Sequence, residues 1–138
     1  MKITRILVPI DGSECAYHAL DWALGIAEKY DSEIELLTVI PTVAMSLIGP
    51  SDEELQERAE KLLKEAFAQI KKSKPNLKVS TKILVGRPAE KIVETCIDEC
   101  FDLIVIGGRG LGGIKEFFLG SVSDRVADAV PCPVVIIK

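Results

Sequence analysis

The chain has 138 residues, 48% of them apolar and 28% charged, with a formal net charge of −4. That length and composition fit one domain spanning 1–138 with a substantial core, and they exclude a disordered protein. The negative balance argues against a polyanionic partner, because nucleic-acid binding leaves a basic footprint.

Other exclusions follow from local features. The basic run Lys71-Lys72-Ser73-Lys74 reads as the solvated end of a helix, where cations suit the dipole. Lys2 and Arg5 place charge early, and no apolar run approaches the length of a membrane helix. The four cysteines, Cys15, Cys96, Cys100 and Cys132, show neither C-x-x-C spacing nor a disulfide framework. A cytosolic protein without a targeting segment is expected.

Ile3 to Pro9 reads as a buried strand, broken by Asp11-Gly12-Ser13. Ser13 is placed to cap the following helix, whose apolar face is Ala16, Ala19, Leu20, Ala23, Leu24, Ala27 and Tyr30. His18 and Trp22 fall off that stripe; His18 is expected to face solvent, and Trp22 to be a contact residue or half exposed. Ile34 to Ile40 is a second strand. The connection from Pro41 to Pro50 carries Val43, Met45, Leu47 and Ile48, which suit a lid, a contact with another chain, or cover for one core edge.

Ser51-Asp52-Glu53-Glu54 is a capping box opening a second helix, with Leu55, Ala59, Leu62, Leu63, Ala66, Phe67 and Ile70 on one face. Pro75-Asn76 turns the chain into a third strand, Leu77 to Val85. Pro88 starts a third helix, with Ala89, Ile92, Val93, Cys96, Ile97, Cys100 and Phe101 as its buried face. That placement makes Cys96 and Cys100 small core residues in preference to zinc ligands. Cys15 and Cys132 carry no signal of their own.

Leu103 to Ile106 is a fourth strand. It runs into a loop with glycines at 107, 108, 110, 112 and 113, then Gly120-Ser121 and a short helix from Ser121 to Ala129. Val134 to Ile137 is the last strand. Five strands alternating with four helices demand an α/β fold, a parallel sheet with helices on both faces.

The glycine loop is the chemical signal. So many glycines cost backbone entropy, and in return they let N–H groups approach a ligand closely. A strand entering such a loop, and the loop entering a helix N-terminus, makes a phosphate site. The amides of Ser121, Val122 and Ser123, with the two serine hydroxyls, are the donors expected at phosphate. Ser121 and Asp124 also read as a capping box. Gly107 and Gly110 would lie along ribose and the first phosphates, and Arg109 would either reach phosphate or point to solvent. Gly108 to Gly113 matches G-x-G-x-x-G, but it follows the fourth strand and has Pro133 where the fingerprint needs an acid. A Walker A loop is absent, since Ile114-Lys115 follows Gly113.

The spacing Gly107-x2-Gly110-x9-Gly120-Ser121 resembles the nucleotide-binding signature of the universal stress protein family, in its ATP-binding branch. The stretch VPIDGSE, Val8 to Glu14, resembles that family's opening. The resemblance implies the Rossmann-like strand order 3-2-1-4-5, with strands one and four adjacent at a switch point. Pro9, Ile10 and Asp11 would then face Gly107 across a crevice. Asp11 would accept from ribose or hold a metal-bound water, although capping or an Asx-turn is an equally ordinary role. Val39 would offer backbone groups to adenine.

ATP is implied, with Mg²⁺ held mainly through the phosphates. In that order the apolar last strand lies at a sheet edge, so Val134–Ile137 would pair with its counterpart in a homodimer. The function implied is a stress-response or signalling module whose loops respond to nucleotide. Slow ATP hydrolysis and a nucleotide-independent interaction dimer remain as alternatives. Neither serine has a histidine to activate it, so no catalytic residue is assigned.

Overall fold

A computed structural model describes residues 1–42, 49–109 and 121–138 of the chain. The elements are β1 (Arg5–Pro9), α1 (Glu14–Tyr30), β2 (Glu33–Pro41), α2 (Asp52–Ser73), β3 (Val79–Gly86), α3 (Pro88–Asp98), β4 (Leu103–Gly107), α4 (Ser121–Ala129) and β5 (Val134–Ile137). They build a sheet of order β3-β2-β1-β4-β5 in which every neighbouring pair is parallel. The strand order implied by the resemblance is therefore the order observed.

Strand alternation divides the core into two layers. Ile6, Val8, Ile34, Leu36 and Val105 face the alanine-rich side of α1 and the Leu63, Ala66 and Ile70 side of α2. Leu7, Leu37, Ile104 and Ile106 face Ala89, Ile92 and Cys96 of α3 and Val126 of α4. Successive residues on β1 thus point into different layers, as the two-residue period of a strand requires. Burial on both faces explains why these strands read as unbroken apolar runs.

Local chemistry sets the helix ends. Ser13 is extended and its hydroxyl accepts from the Ala16 amide at 3.2 Å. Ser51 does the same for Glu54, also at 3.2 Å. At the other end of α1, Asp31 takes a left-handed conformation and the Ser32 amide reaches back to the Ala27 carbonyl.

Three sequence expectations are corrected. The first strand begins at Arg5 and not Ile3, because the amides of Thr4 and Arg5 both donate to the Asp102 carboxylate, at 2.9 and 3.0 Å. The third strand begins at Val79 and not Leu77, because the Leu77 amide closes a turn onto the Lys74 carbonyl. The third helix ends at Asp98, so Cys100 lies beyond it and is exposed, and Ile97 in its last turn is exposed as well, instead of both being buried. Cys100 has φ +54, the Phe101 amide bonds the Cys96 carbonyl, and the Cys100 amide bonds that of Ile97. This is a Schellman ending with cysteine where glycine is usual. It swings Cys100 outward and Phe101 back into the core.

His18 and Trp22 are both exposed on α1, and the His18 ring lies 4.0 Å from Glu14. Residues 43–48 of the apolar connection lie outside the described residues, as do Gly110, Gly112, Gly113 and Gly120.

An ion network was not foreseen. Arg5 pairs with Glu33 at 2.9 Å and Glu99 at 3.6 Å, stacks on Phe101, and Lys82 pairs with Glu99 at 2.5 Å. Beside them Glu35 is buried, with one carboxylate oxygen accepting from Ser80 and the other lacking a hydrogen-bond partner among the described residues. Burial, and then the negative Glu99, raise the Glu35 carboxyl above the ordinary value, against the pull of Lys82 and Arg5.

Candidate functional site

The adjacent carboxyl ends of β1 and β4 bring together two distant stretches of the chain. On the first, β1 ends with Pro9, and Ile10 is buried just beyond it. The Ile10 amide donates to the Leu37 carbonyl at 2.8 Å, and the Ile10 carbonyl accepts from the Thr38 hydroxyl at 3.0 Å. The chain leaving β1 is therefore clamped to β2 through both backbone groups of one residue. Asp11 follows, exposed, and its Oδ1 accepts from the Ser13 amide at 2.9 Å. Gly12 completes this Asx-turn at φ +88. Asp11 thus shapes the turn while standing at the strand's carboxyl end, just before the positive end of α1.

On the second stretch, Gly107 ends β4 and lies directly against the first turn of α1. A Cβ placed there would come within 2.9 Å of the Cys15 carbonyl carbon and 3.0 Å of the Ala16 nitrogen. Only glycine lets the two backbones approach so closely. The Gly108 amide donates to the Ile137 carbonyl at 2.7 Å, and the Cys15 thiol donates to that same oxygen at 2.8 Å. The Ser13 hydroxyl reaches the Arg109 carbonyl at 3.4 Å. Ser13 is thus a helix cap and a bridge between the two stretches.

The other sequence candidates are placed as follows. Val39 is half-buried on β2, opposite Leu84 of β3 and two residues beyond the point where β1 ends against Leu37. Arg109 is exposed. Ser121, Val122 and Ser123 form the first turn of α4, with Ser121 exposed and Ser123 buried. Gly110 and Gly120 lie outside the described residues. The structure joins residues 10–16 to 107–109 by direct contacts, while 121–123 arrive on a separate helix that packs against α3.

Sequence reasoning missed Thr38 and the bridging role of Ser13. A hydroxyl in the middle of the apolar run IELLTVI was the available sign for Thr38. Nothing in the sequence marked Ser13 as more than a cap, because its second partner is 96 residues away.

A doubly wound parallel α/β domain whose chain path reverses between β1 and β4 belongs to the class of folds that take ligands at strand carboxyl ends. Within that class the assignment is specific. Residues 2–138 match the model of the universal stress protein family, and the chain belongs to that family.

A universal stress protein of Methanocaldococcus jannaschii is 34% identical, over 97% of this chain and 81% of its own length. The solved structure of the universal stress protein UspA from Lactobacillus plantarum superposes with a TM-score of 0.83 at 27% identity, covering 100% of this chain and 99% of that one. The universal stress protein of Archaeoglobus fulgidus in complex with dAMP superposes with a TM-score of 0.74 at 26% identity, each chain covered in full.

Proposed function

We propose that this protein is a cytoplasmic ATP-binding member of its family, acting as a homodimeric stress-response or signalling module. The observation that carries the reading is the close approach of Gly107 to the first turn of α1. It sets the start of the glycine-rich stretch, Gly107 to Arg109, beside the turn that Asp11 shapes. The dAMP complex of the Archaeoglobus fulgidus relative supports an adenine nucleotide as the ligand.

The donor set suits such a ligand. Asp11 offers an exposed carboxylate at the carboxyl end of β1, where a ribose hydroxyl or a Mg²⁺-bound water would be met. The first-turn amides of α4 face the requirement of any helix N-terminus for acceptors, which phosphate oxygens satisfy. Val39 would serve adenine through its backbone, and Arg109 would add charge near the phosphates. Among the described residues no three His, Cys, Asp or Glu side chains gather to hold a metal. Mg²⁺ would be carried mainly by the phosphates and water, which suits an ion that dehydrates reluctantly. Nucleotide occupancy would switch the conformation of the loop after β4 and change the surface offered to a partner.

β5 lies at the edge of the sheet and all four of its residues are half-buried. Pairing with a second copy would satisfy its open edge. Among the described residues no helix is long and apolar enough to cross a membrane.

Equilibrium dialysis against ATP with Mg²⁺ tests the nucleotide reading. Saturable binding that weakens in Asp11→Ala is expected, and no binding at millimolar ATP would refute it. Sedimentation equilibrium tests the dimer, which a charge introduced by Val135→Lys should dissociate.

A further inference from the structure

The sulfur atoms of Cys96 and Cys132 stand 3.2 Å apart. Cys96 is on the buried face of α3, and Cys132 lies between Pro131 and Pro133 in the turn that leads into β5. Their sequence separation is 36 residues, so only the tertiary fold brings them together. Both are free thiols. A disulfide needs about 2.05 Å between sulfurs, so bond formation asks for a movement of about an ångström, within the reach of side-chain torsions and a short turn. The other two cysteines are engaged differently. Cys15 is buried and donates to the Ile137 carbonyl, while Cys100 faces outward beyond the end of α3.

We propose that Cys96 and Cys132 form a reversible dithiol–disulfide site, oxidised by a hydroperoxide, that staples α3 to the turn before β5. The two thiols differ in the way such chemistry requires. Cys132 is half-buried and open to a small oxidant, whereas Cys96 is 1% exposed and its thiol is pushed up to about 12, first by burial and then by the Cys132 contact. Cys132 is therefore the attacking sulfur.

Its thiolate takes the terminal oxygen of the hydroperoxide, giving a sulfenic acid and an alkoxide that becomes the alcohol on protonation. The Cys96 sulfur then attacks the Cys132 sulfur. The sulfur–oxygen bond breaks, and the departing hydroxyl takes the Cys96 proton and leaves as water. In sum, two thiols lose two electrons, and the hydroperoxide is reduced to one alcohol and one water. The ring so closed contains β4 and α4, the two elements that flank the glycine-rich stretch. This site stands independently of the nucleotide reading.

The test treats the full chain with stoichiometric hydrogen peroxide, blocks remaining thiols with iodoacetamide and maps peptides without reduction. Of four cysteines, two are expected to remain alkylatable. Cys96 and Cys132 should appear in one cross-linked peptide, the intact mass should fall by two hydrogen atoms before alkylation, and dithiothreitol should restore all four thiols. In Cys132→Ser the half-buried position tolerates the change, and Cys96 should stay reduced under the same treatment. The inference is overturned if Cys132 advances to a sulfinic acid with Cys96 still a thiol. It is equally overturned if the bond forms to Cys100 or to a second chain, if all four thiols persist, or if Cys96 oxidises as readily in Cys132→Ser as in the parent.

Discussion

Adding one methyl group at Gly107 should damage this protein, and adding the same group at Gly25 should strengthen it. At Gly107 the new carbon would meet backbone: the Cys15 carbonyl carbon at 2.9 Å, and the Ala16 nitrogen and Cys15 oxygen at 3.0 Å each. Ordinary contact begins at 3.4 Å, so the first turn of α1 must recede by about half an ångström in an interior packed as densely as a crystal. Backbone inside a capped helix cannot swing aside as a side chain can. Overpacking of this kind costs about 1–3 kcal/mol. With a urea slope of about 2 kcal/mol per molar, the midpoint of Gly107→Ala should fall by roughly 1 M.

Gly25 lies in the exposed middle of α1 with nothing within 4 Å of a built Cβ. There alanine should contribute about 0.5–1 kcal/mol by removing backbone entropy from the unfolded chain. Urea unfolding followed by far-UV circular dichroism reads both variants, and ATP dialysis on the folded proteins should show weaker binding for Gly107→Ala alone. A Gly107→Ala midpoint equal to or above the parent would show that the close approach of β4 to α1 does not constrain the crevice.

Other perturbations separate the fold's supports from the site. Burial and Glu99 raise the Glu35 carboxyl, so the folded state binds its proton more tightly than the unfolded chain. The contribution of this group is therefore most favourable below the unfolded pKa and declines as pH rises through the raised folded value. Glu35→Gln should raise the urea midpoint at about pH 7 and lose that advantage near about pH 4; an equal gain at both would remove ionisation as the cause. Ser13→Ala removes the α1 cap and the Arg109 bridge together, and should cost about 1 kcal/mol, with faster hydrogen exchange at Ala16; unchanged exchange there would refute the cap. Asp102→Ala strips the acceptor from two amides and should cost about 1–2 kcal/mol. Its signature is faster exchange at Thr4 and Arg5, and protection retained at both would show that another acceptor replaces it.

The sequence by itself determined the elements and their alternation. Those depend on short-range physics: apolar periodicity, serine caps at Ser13 and Ser51, and Pro88 at a helix start. It faltered at ends set by distant partners, such as the Asp102 carboxylate that takes the Thr4 and Arg5 amides where the first strand begins. The ending at Cys100 was misread because a cysteine in a left-handed conformation carries no glycine to announce it.

The strand order came from a family likeness, and the tertiary structure then displayed it; alternation alone allows several orders. Three features were decided only by folding. Gly107 meets α1 because the crossovers place β4 beside β1. Glu35 is buried beside Arg5, Ser80, Lys82 and Glu99, which only folding gathers there. Cys96 and Cys132 touch because α3 and the turn before β5 share one layer. Each contact joins residues far apart in the chain, and no periodicity or local propensity encodes which of the apolar faces will meet.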